Sequence, residues 1–305
     1  MPDLALVVVV PVFNRPRVVL EALESVAAQT LTPSRLIIVD DGSTDDTAAC
    51  VERWISEKRP LFDTRLMRQS NQGAAAARNH GAAAAGECEL LAFLDSDDLW
   101  PADFLERVVA AFSRQPEAVA ASSDRVRLNL STGERRTKDL RAMQGQVTTT
   151  LVVNGPPGLP NTTVSARAFH SIGGFDPALR SGQDYDLFLR LSLLGPWTHV
   201  PGAPVTIRDQ TDSVMGGQRQ ITSQTGRAVT RVQILDRFIH QGGGGRAVPE
   251  PLWRRRLGPL WFRAGQALRQ SHQRAEAAGC FRRAVELSPW HWRARWYAFT
   301  TRATG

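Results

Sequence analysis

The chain of 305 residues is 42% hydrophobic and carries a net charge of +7, from 37 Lys and Arg against 30 Asp and Glu. That length and apolar content allow one large packed domain with a smaller appendage and exclude a chain that is disordered in bulk. The three cysteines, Cys50, Cys88 and Cys280, stand far apart without metal-ligand spacing, which argues against a disulfide framework or zinc site and for reduced thiols in an intracellular protein.

The apolar run at residues 4–10 has no basic region before it and breaks at Pro11, so it reads as a core strand rather than a signal peptide. A helix over about 16–29, a strand over 35–40 and a helix over 44–58 follow. Next come a strand near 64–68, a helix over 72–85, a strand over 89–94, a helix over 101–114 and a strand near 117–123. This alternation predicts an α/β fold, a mostly parallel sheet covered by helices. Residues 124–160, rich in Thr, Gly, Pro and charge, read as a hairpin or excursion leading to a mobile loop at Gly155-Pro156-Pro157-Gly158. A helix over 184–194 and a weak strand over 198–207 close this part.

Two of the predicted strands end in acids. Leu90 to Trp100 is an apolar run that stops at Asp95-Ser96-Asp97-Asp98, and Leu36 to Thr47 runs into Asp40-Asp41-Gly42-Ser43. Ligands of open α/β sheets sit beyond the carboxyl ends of the strands, where an acid commonly binds a ribose hydroxyl. Like charges about 4 Å apart oppose each other by roughly 4 kcal/mol at an effective dielectric of 20, so the second cluster calls for a cation. Hard oxygen ligands favour Mn2+ or Mg2+ with substrate phosphates completing the shell. The same Ser96-Asp97-Asp98 run also suits the N-cap of the helix that Pro101 opens. The first strand delivers Pro11, Val12, Phe13 and Arg15 to the same edge, and the three edges together point to a nucleotide diphosphate pocket.

The ordered set Val-Pro-Val-Phe-Asn-Arg (10–15), Val-Asp-Asp-Gly-Ser-Thr-Asp (39–45), Asn-Gln-Gly with Ala-Arg-Asn-His-Gly (71–81) and Leu-Asp-Ser-Asp-Asp (94–98) resembles family 2 glycosyltransferases with a GT-A fold. Gly173-Gly174-Phe175-Asp176 and Gly182-Gln183-Asp184-Tyr185-Asp186-Leu187 are similar to the acceptor-side segment of that family. The likeness spans roughly residues 4–215. It implies a GT-A, Rossmann-like, mostly parallel sheet with helices on both faces, and a hexosyl or related transferase that inverts the sugar centre and depends on Mn2+ or Mg2+.

On that resemblance Asp40 and Asp41 hold the nucleoside, Arg78 contacts the nucleotide, and Asp95, Ser96 and Asp97 take ribose, pyrophosphate and metal, with Asp97 the metal ligand. Asp184 corresponds to the family's base and Asp186 is the fallback, although Asp184 also suits the N-cap of the helix behind it. For Arg78 the competing expectation is a salt bridge to a sheet-edge acid such as Asp40. Gln183 stands where the family usually has Glu, which leaves open a catalytically impaired sugar-nucleotide-binding scaffold or docking protein. Gln210 occupies the place of a family His, so Arg208 is expected to neutralise the diphosphate. Trp100, Phe175 and Tyr185 are candidates for a sugar-stacking platform, with core packing as the competing expectation.

The expected partners are a nucleotide-diphosphate sugar donor and a hydroxyl acceptor, whether glycan, lipid-linked or small molecule. No nucleic-acid-binding signature is present. Residues 216–305 are expected to form a helical extension beyond Gly242-Gly243-Gly244-Gly245, with helices over 252–270, 273–287 and on to 302. From about residue 250 it resembles a tetratricopeptide hairpin that caps the catalytic domain or docks a partner. The rival expectation is a membrane-surface element built on Trp290, Trp292, Arg293, Arg295 and Trp296. No stretch approaches the ~18 apolar residues of a bilayer span, so the expected location is cytoplasmic, with any membrane contact peripheral at the inner face.

Overall fold

The computed structural model describes residues 4–209, 224–290 and 292–300. The chain forms two compact units: Met1–Val147, Pro157–Ala178 and Leu194–Arg219 make the first, and Thr148–Pro156, Leu179–Leu193 and Gln220–Gly305 the second.

The first unit begins as the alternation predicts: β1 (Leu6–Val12), α1 (Val18–Ala27), β2 (Arg35–Asp40), α2 (Thr47–Lys58), β3 (Asp63–Arg68), α3 (Ala74–Ala83), β4 (Leu90–Phe93) and α4 (Phe104–Arg114). Then come β5 (Ala120–Asn129) and β6 (Arg135–Lys138) and, in the second unit, α5 (Thr148–Asn154). Back in the first unit are β7 (Thr162–Ser165) and α6 (Ala166–Ser171), followed by α7 (Gln183–Leu191) in the second and β8 (Trp197–Asp209) in the first.

The sheet runs β3-β2-β1-β4-β7-β5-β6, with β8 parallel to β5. Strands β1 to β4 are parallel to one another, which aligns Val12 with Asp40 and Asp40 with Arg68. That register brings the carboxyl ends of β1, β2 and β3 to one edge. Strand β7, absent from the sequence expectation, enters antiparallel between β4 and β5. A run of only four residues between two helices carries too little periodicity to be read as a strand.

Both faces of this sheet are covered. Val8, Val10, Leu36 and Ile38 pack with Val19, Leu23 and Val26 of α1, Val51 and Trp54 of α2, and Phe104, Leu105 and Val108 of α4 in one buried cluster. Helix α3 lies on the opposite face so closely that a Cβ on Gly81 would sit 2.5 Å from Val9 Cγ1. The alanines of α3 therefore serve close packing. On the same face Phe93, Phe169 and Phe175 meet with centroids 5.2–5.6 Å apart, and each such pair adds about 0.5–1.5 kcal/mol beyond area burial.

The second unit is helical: α5 and α7, then α8 (Gln224–His240), α9 (Gly244–Ala247), α10 (Glu250–Gln270), α11 (Arg274–Leu287) and α12 (Trp292–Thr300). Helix α5 forms from a Thr- and Val-rich run of low helix propensity because Leu151 and Val152 are buried. Gly258 of α10 meets Ser288 and Gly265 meets Phe281, so α10 and α11 form an antiparallel hairpin. Of the four glycines Gly242–Gly245, Gly244 is buried and the other three are exposed. A Cβ on Gly244 would lie 2.3 Å from the Phe238 ring, so only Gly lets the chain fold back on α8. No described helix is long and apolar enough to cross a membrane.

Candidate functional site

Three loops at the carboxyl edge of the first unit's sheet are laced together by side chains. After β1, Asn14 adopts a left-handed φ of 51°, which Asn tolerates better than most residues. Its backbone N–H donates to Ser43 Oγ at 2.9 Å, and its Oδ1 accepts from Thr44 N at 2.8 Å. Arg15 N–H donates to Thr47 Oγ1 at 2.8 Å, while the Arg15 guanidinium reaches the loop after β4, 2.9 Å from Asp97 Oδ1 and 3.4 Å from Ser96 Oγ. Pro11 and Val12 are buried in β1, and Phe13 is half-buried at its end. The structure thus brings Arg15, Asp40, Ser96 and Asp97 to one edge.

The adjacent acids Asp40 and Asp41 do different things. Asp40 is fully buried, its Oδ1 accepts from Ser43 N at 3.0 Å, and its Oδ2 has no hydrogen-bond partner among the described residues. Arg68 Nε stands 3.4 Å from that Oδ2. That contact is an ion pair with a largely exposed side chain, so the buried oxygen keeps room for a hydrogen-bond donor from a ligand. Asp41 accepts instead from Gln69 Nε2, Gln72 N and Gly73 N, all at 2.8 Å. Its carboxylate therefore fastens the loop that starts α3.

Asp95 pairs with Arg78 at 2.5 Å, and the same guanidinium lies 5.5 Å from the centroid of the Phe175 ring. The acid that engages Arg78 is Asp95 rather than Asp40, although α3 packs against β1 and β2, where Gly81 meets Val9 and Val39. Asp98 is 3% exposed and accepts from Arg208 N at 2.9 Å. Burial, then the neighbouring Asp97 and Asp95, hold the Asp98 carboxyl well above the usual carboxylate range, against the pull of Arg208. Burial also raises Asp97, opposed by Arg15 and reinforced by Asp95. The cluster is thus short of positive charge.

The expected diphosphate partner Arg208 has another role. Its guanidinium binds Glu21 and the carbonyl of Asp97, so it props the acidic loop from beneath. Gln210, expected in the place of the family's His, lies outside the described residues. Trp100 is 5% exposed, its ring is packed 4.9 Å from Phe104, and its Nε1 donates to Pro160 O at 2.6 Å. Tyr185 and Phe175 are 2% and 1% exposed. A stacking platform needs an accessible ring face, and these three rings give theirs to the core.

In the second unit, Asp184 lies in the first turn of α7 and accepts from Tyr185 N at 2.8 Å. Helix N-termini favour such carboxylates. Gly182 takes the cap position, so Asp184 is not the N-cap. Gln183 donates from Nε2 to Leu179 O at 2.8 Å, a bond that an ionised Glu could not make. Asp186 is buried and ion-paired with Arg190 at 2.6 Å and Arg237 at 2.8 Å. It ties α7 to α8 and is unsuited to the fallback role of base.

Asn14, Ser43 and Arg68 were not among the sequence candidates. Arg68 was within reach of sequence reasoning, because parallel pairing of two predicted strands sets it opposite Asp40.

The raised Asp98 carboxyl makes a stability prediction. A group whose folded-state proton affinity is raised stabilises the fold while protonated, and that contribution is lost as pH rises through its folded pKa. Asp98→Asn keeps the acceptor for Arg208 N and removes the charge. At pH 8 the variant is expected to melt at or above the wild-type temperature, by about 2–4 °C per kcal/mol for a domain of roughly 150–250 residues. The gap should close in acid, as thermal melts at pH 5 and pH 8 would show; a variant less stable at pH 8 contradicts this account.

Residues 7–169 match the family profile of Glycosyl transferase family 2. An uncharacterized glycosyltransferase of Haemophilus influenzae is 31% identical over 189 residues, 60% of each chain. The chondroitin synthase of Escherichia coli is 29% identical over 209 residues, 63% of this chain and 27% of that protein. The chain therefore spans 60% or less of the length of these curated relatives. Among solved structures, S. aureus TarS in complex with UDP aligns over 97% of this chain and 88% of its own, with a TM-score of 0.69 at 18% identity. The mannosyltransferase PcManGT of Pyrobaculum calidifontis, in complex with GDP-Man and Mn2+, aligns over 98% and 84%, with a TM-score of 0.58 at 17% identity. These likenesses show the GT-A fold.

Proposed function

Because the chain belongs to glycosyl transferase family 2, we propose that it is an inverting, metal-dependent glycosyltransferase that moves a sugar from a nucleotide diphosphate to an acceptor hydroxyl. The observation that carries this reading is the edge that joins Arg15, the buried Asp40 whose Oδ2 accepts no hydrogen bond among the described residues, and the charge-crowded Asp95–Asp98 loop. Asp40 receives a donor group of the nucleoside. Asp95 and Ser96 face the ribose and pyrophosphate, Arg78 holds Asp95 in place, and Arg15 supplies positive charge to the diphosphate.

The residues fit a divalent cation. Among the described residues no three acidic, His or Cys side chains form a metal cage, yet Asp97 is a hard oxygen ligand with raised proton affinity in a loop short of cations. Mg2+ and Mn2+ are commonly held by one or two carboxylates together with substrate phosphates. Asp97 would hold the ion, which when bound supplies charge neutralisation to the leaving diphosphate. GDP-Man and Mn2+ in PcManGT and UDP in TarS support this pairing.

Transfer follows a single displacement. The acceptor oxygen forms its bond to the anomeric carbon as its proton passes to the Asp184 carboxylate. The bond from that carbon to the phosphate oxygen breaks, and its electron pair leaves with the nucleoside diphosphate. The state between is oxocarbenium-like, as in glycoside hydrolysis, and a positioned base contributes about 10²- to 10⁴-fold.

Gln183 in place of the family's Glu supports the second reading, a sugar-nucleotide-binding scaffold without turnover. The α10–α11 hairpin and α12 suit a tetratricopeptide-like docking element. The exposed Trp290, Trp292, Trp296 and Phe299, interleaved with Arg293 and Arg295, suit peripheral contact with a protein or the inner face of a membrane in the cytoplasm. The test is release of nucleoside diphosphate from UDP-, GDP- and dTDP-sugars with Mn2+ and a panel of acceptors. Acceptor-stimulated release supports the enzyme, whereas binding of a nucleotide without any release supports the scaffold.

A further inference from the structure

Asn79 of α3 and Phe175 lie 96 residues apart in the chain and meet through one side-chain amide. Asn79 Nδ2 donates to Phe175 O at 2.8 Å, and Asn79 Oδ1 accepts from Phe175 N at 2.9 Å. The amide thus pairs with both backbone groups of Phe175 as a neighbouring strand would. A side-chain amide is the group that supplies a donor and an acceptor side by side. The turn approaches closely to make the pair. Gly174 has a φ of 69°, and a Cβ on it would stand 2.6 Å from Asn79 Oδ1 and 2.9 Å from Phe169 Cζ.

Phe175, held in this way, touches two elements that lead to the acidic loop. Its ring meets that of Phe93 on β4 edge-on, with centroids 5.2 Å apart and planes at 85°, and Phe93 stands two residues before Asp95. The Arg78 guanidinium lies 5.5 Å from the centroid of the same ring, and Arg78 Nη2 pairs with Asp95 Oδ1 at 2.5 Å. Asn79, Phe175, Arg78 and Asp95 therefore form a continuous run of contacts, closed through β4 by Phe93.

An aromatic ring against a guanidinium restrains the plane of the fork, and the fork restrains the carboxylate it pairs with. Phe175 and Arg78 are 1% and 7% exposed, whereas 31% of the Asp95 side chain is open. Close-packed buried groups transmit a displacement instead of absorbing it. A shift of Phe175 is therefore passed to the one carboxylate of the run that is open to a ligand.

We propose that Asn79 is a positioning residue for the nucleotide donor: by clamping Phe175 against Arg78 it sets the orientation of Asp95, so that nucleotide affinity depends on the turn at residues 173–176. The effect on the donor rests on the reading that Asp95 faces the ribose and pyrophosphate; the run of contacts does not.

The test is calorimetric titration of the full chain with UDP, GDP and dTDP in the presence of Mn2+, for the wild type, Asn79→Ala, Arg78→Gln and the double variant. Asn79→Ala should weaken binding of the nucleotide that the wild type takes by about tenfold, the scale of losing two ordinary hydrogen bonds, and Arg78→Gln should weaken it at least as much. In the Arg78→Gln background the same Asn79→Ala change should cost less than about twofold, because residues that act through one another are not additive. A residue with a purely structural role would give equal losses in both backgrounds, or lower the melting temperature alone. If Asn79→Ala failed to fold, Phe175→Leu, which keeps both backbone bonds to Asn79 and removes the ring face, reads the same coupling in the same cycle. Gly174→Ala should weaken binding in the same direction, since its methyl group displaces Asn79 Oδ1. Undiminished binding by Asn79→Ala, or losses that simply add to those of Arg78→Gln, overturns the proposal and leaves the nucleotide site standing. A wild type that binds none of the three nucleotides overturns the nucleotide-site reading, and the proposal with it.

Discussion

Asp184→Asn is expected to lower sugar transfer by about 10²- to 10⁴-fold, the usual worth of a positioned base, while nucleotide binding stays within about twofold of the wild type. The amide is nearly isosteric and its Oδ1 still accepts from Tyr185 N, so α7 keeps its first turn and the melting temperature should hardly move. The residues proposed to bind the nucleotide belong to the first unit and Asp184 to the second, so binding and turnover are expected to separate in this variant. Steady-state release of nucleoside diphosphate, with binding measured in parallel, checks it. Full transfer by the variant would remove Asp184 from the role of base.

Asp97→Ala is expected to abolish the part of nucleotide binding that depends on metal. Losing a ligand's supporting partner costs roughly 10- to 100-fold in metal affinity, and losing the ligand itself should cost more. The same change leaves Arg15 without its 2.9 Å partner, so some metal-independent attraction for a diphosphate should survive and even strengthen. Titration with and without Mn2+ therefore reads two opposite changes in one protein. An Asp97→Ala variant with undiminished metal dependence would transfer the ligand role to another acid of the loop.

Much of the first unit is legible in the sequence because its strands are short apolar runs punctuated by acids, Gly and Pro. Asp40, Asp95 and Asp97 could be placed at a sheet edge from that punctuation alone. What the pattern could not show is how neighbours divide their work. Asp40 and Asp41 look equivalent in sequence, yet one has a buried oxygen with only an ion pair to Arg68 and the other binds three donors in the loop before α3. Arg208 looks like a free cation for a diphosphate, and only the long-range pairing of β8 with β5 sets it under the Asp97 carbonyl. Trp100 has the composition of a sugar platform, but apolar surroundings claim its ring.

The second unit was harder to read. Thr148–Pro156 and Leu179–Leu193 join it from within the stretch that precedes α8, and no local signal announces that. Helix α5 contradicts its own propensity, since tertiary burial of Leu151 and Val152 outweighs a cost of at most about 0.7 kcal/mol per residue.

A metal-assisted nucleotide diphosphate site is expected at the edge shared by β1, β2 and β4. Its most direct test is calorimetric titration of the wild-type protein with UDP, GDP and dTDP, each with and without Mn2+. Saturable binding of one nucleotide that strengthens when Mn2+ is added is the predicted result. Binding of none of the three, or binding indifferent to the metal, would contradict the account.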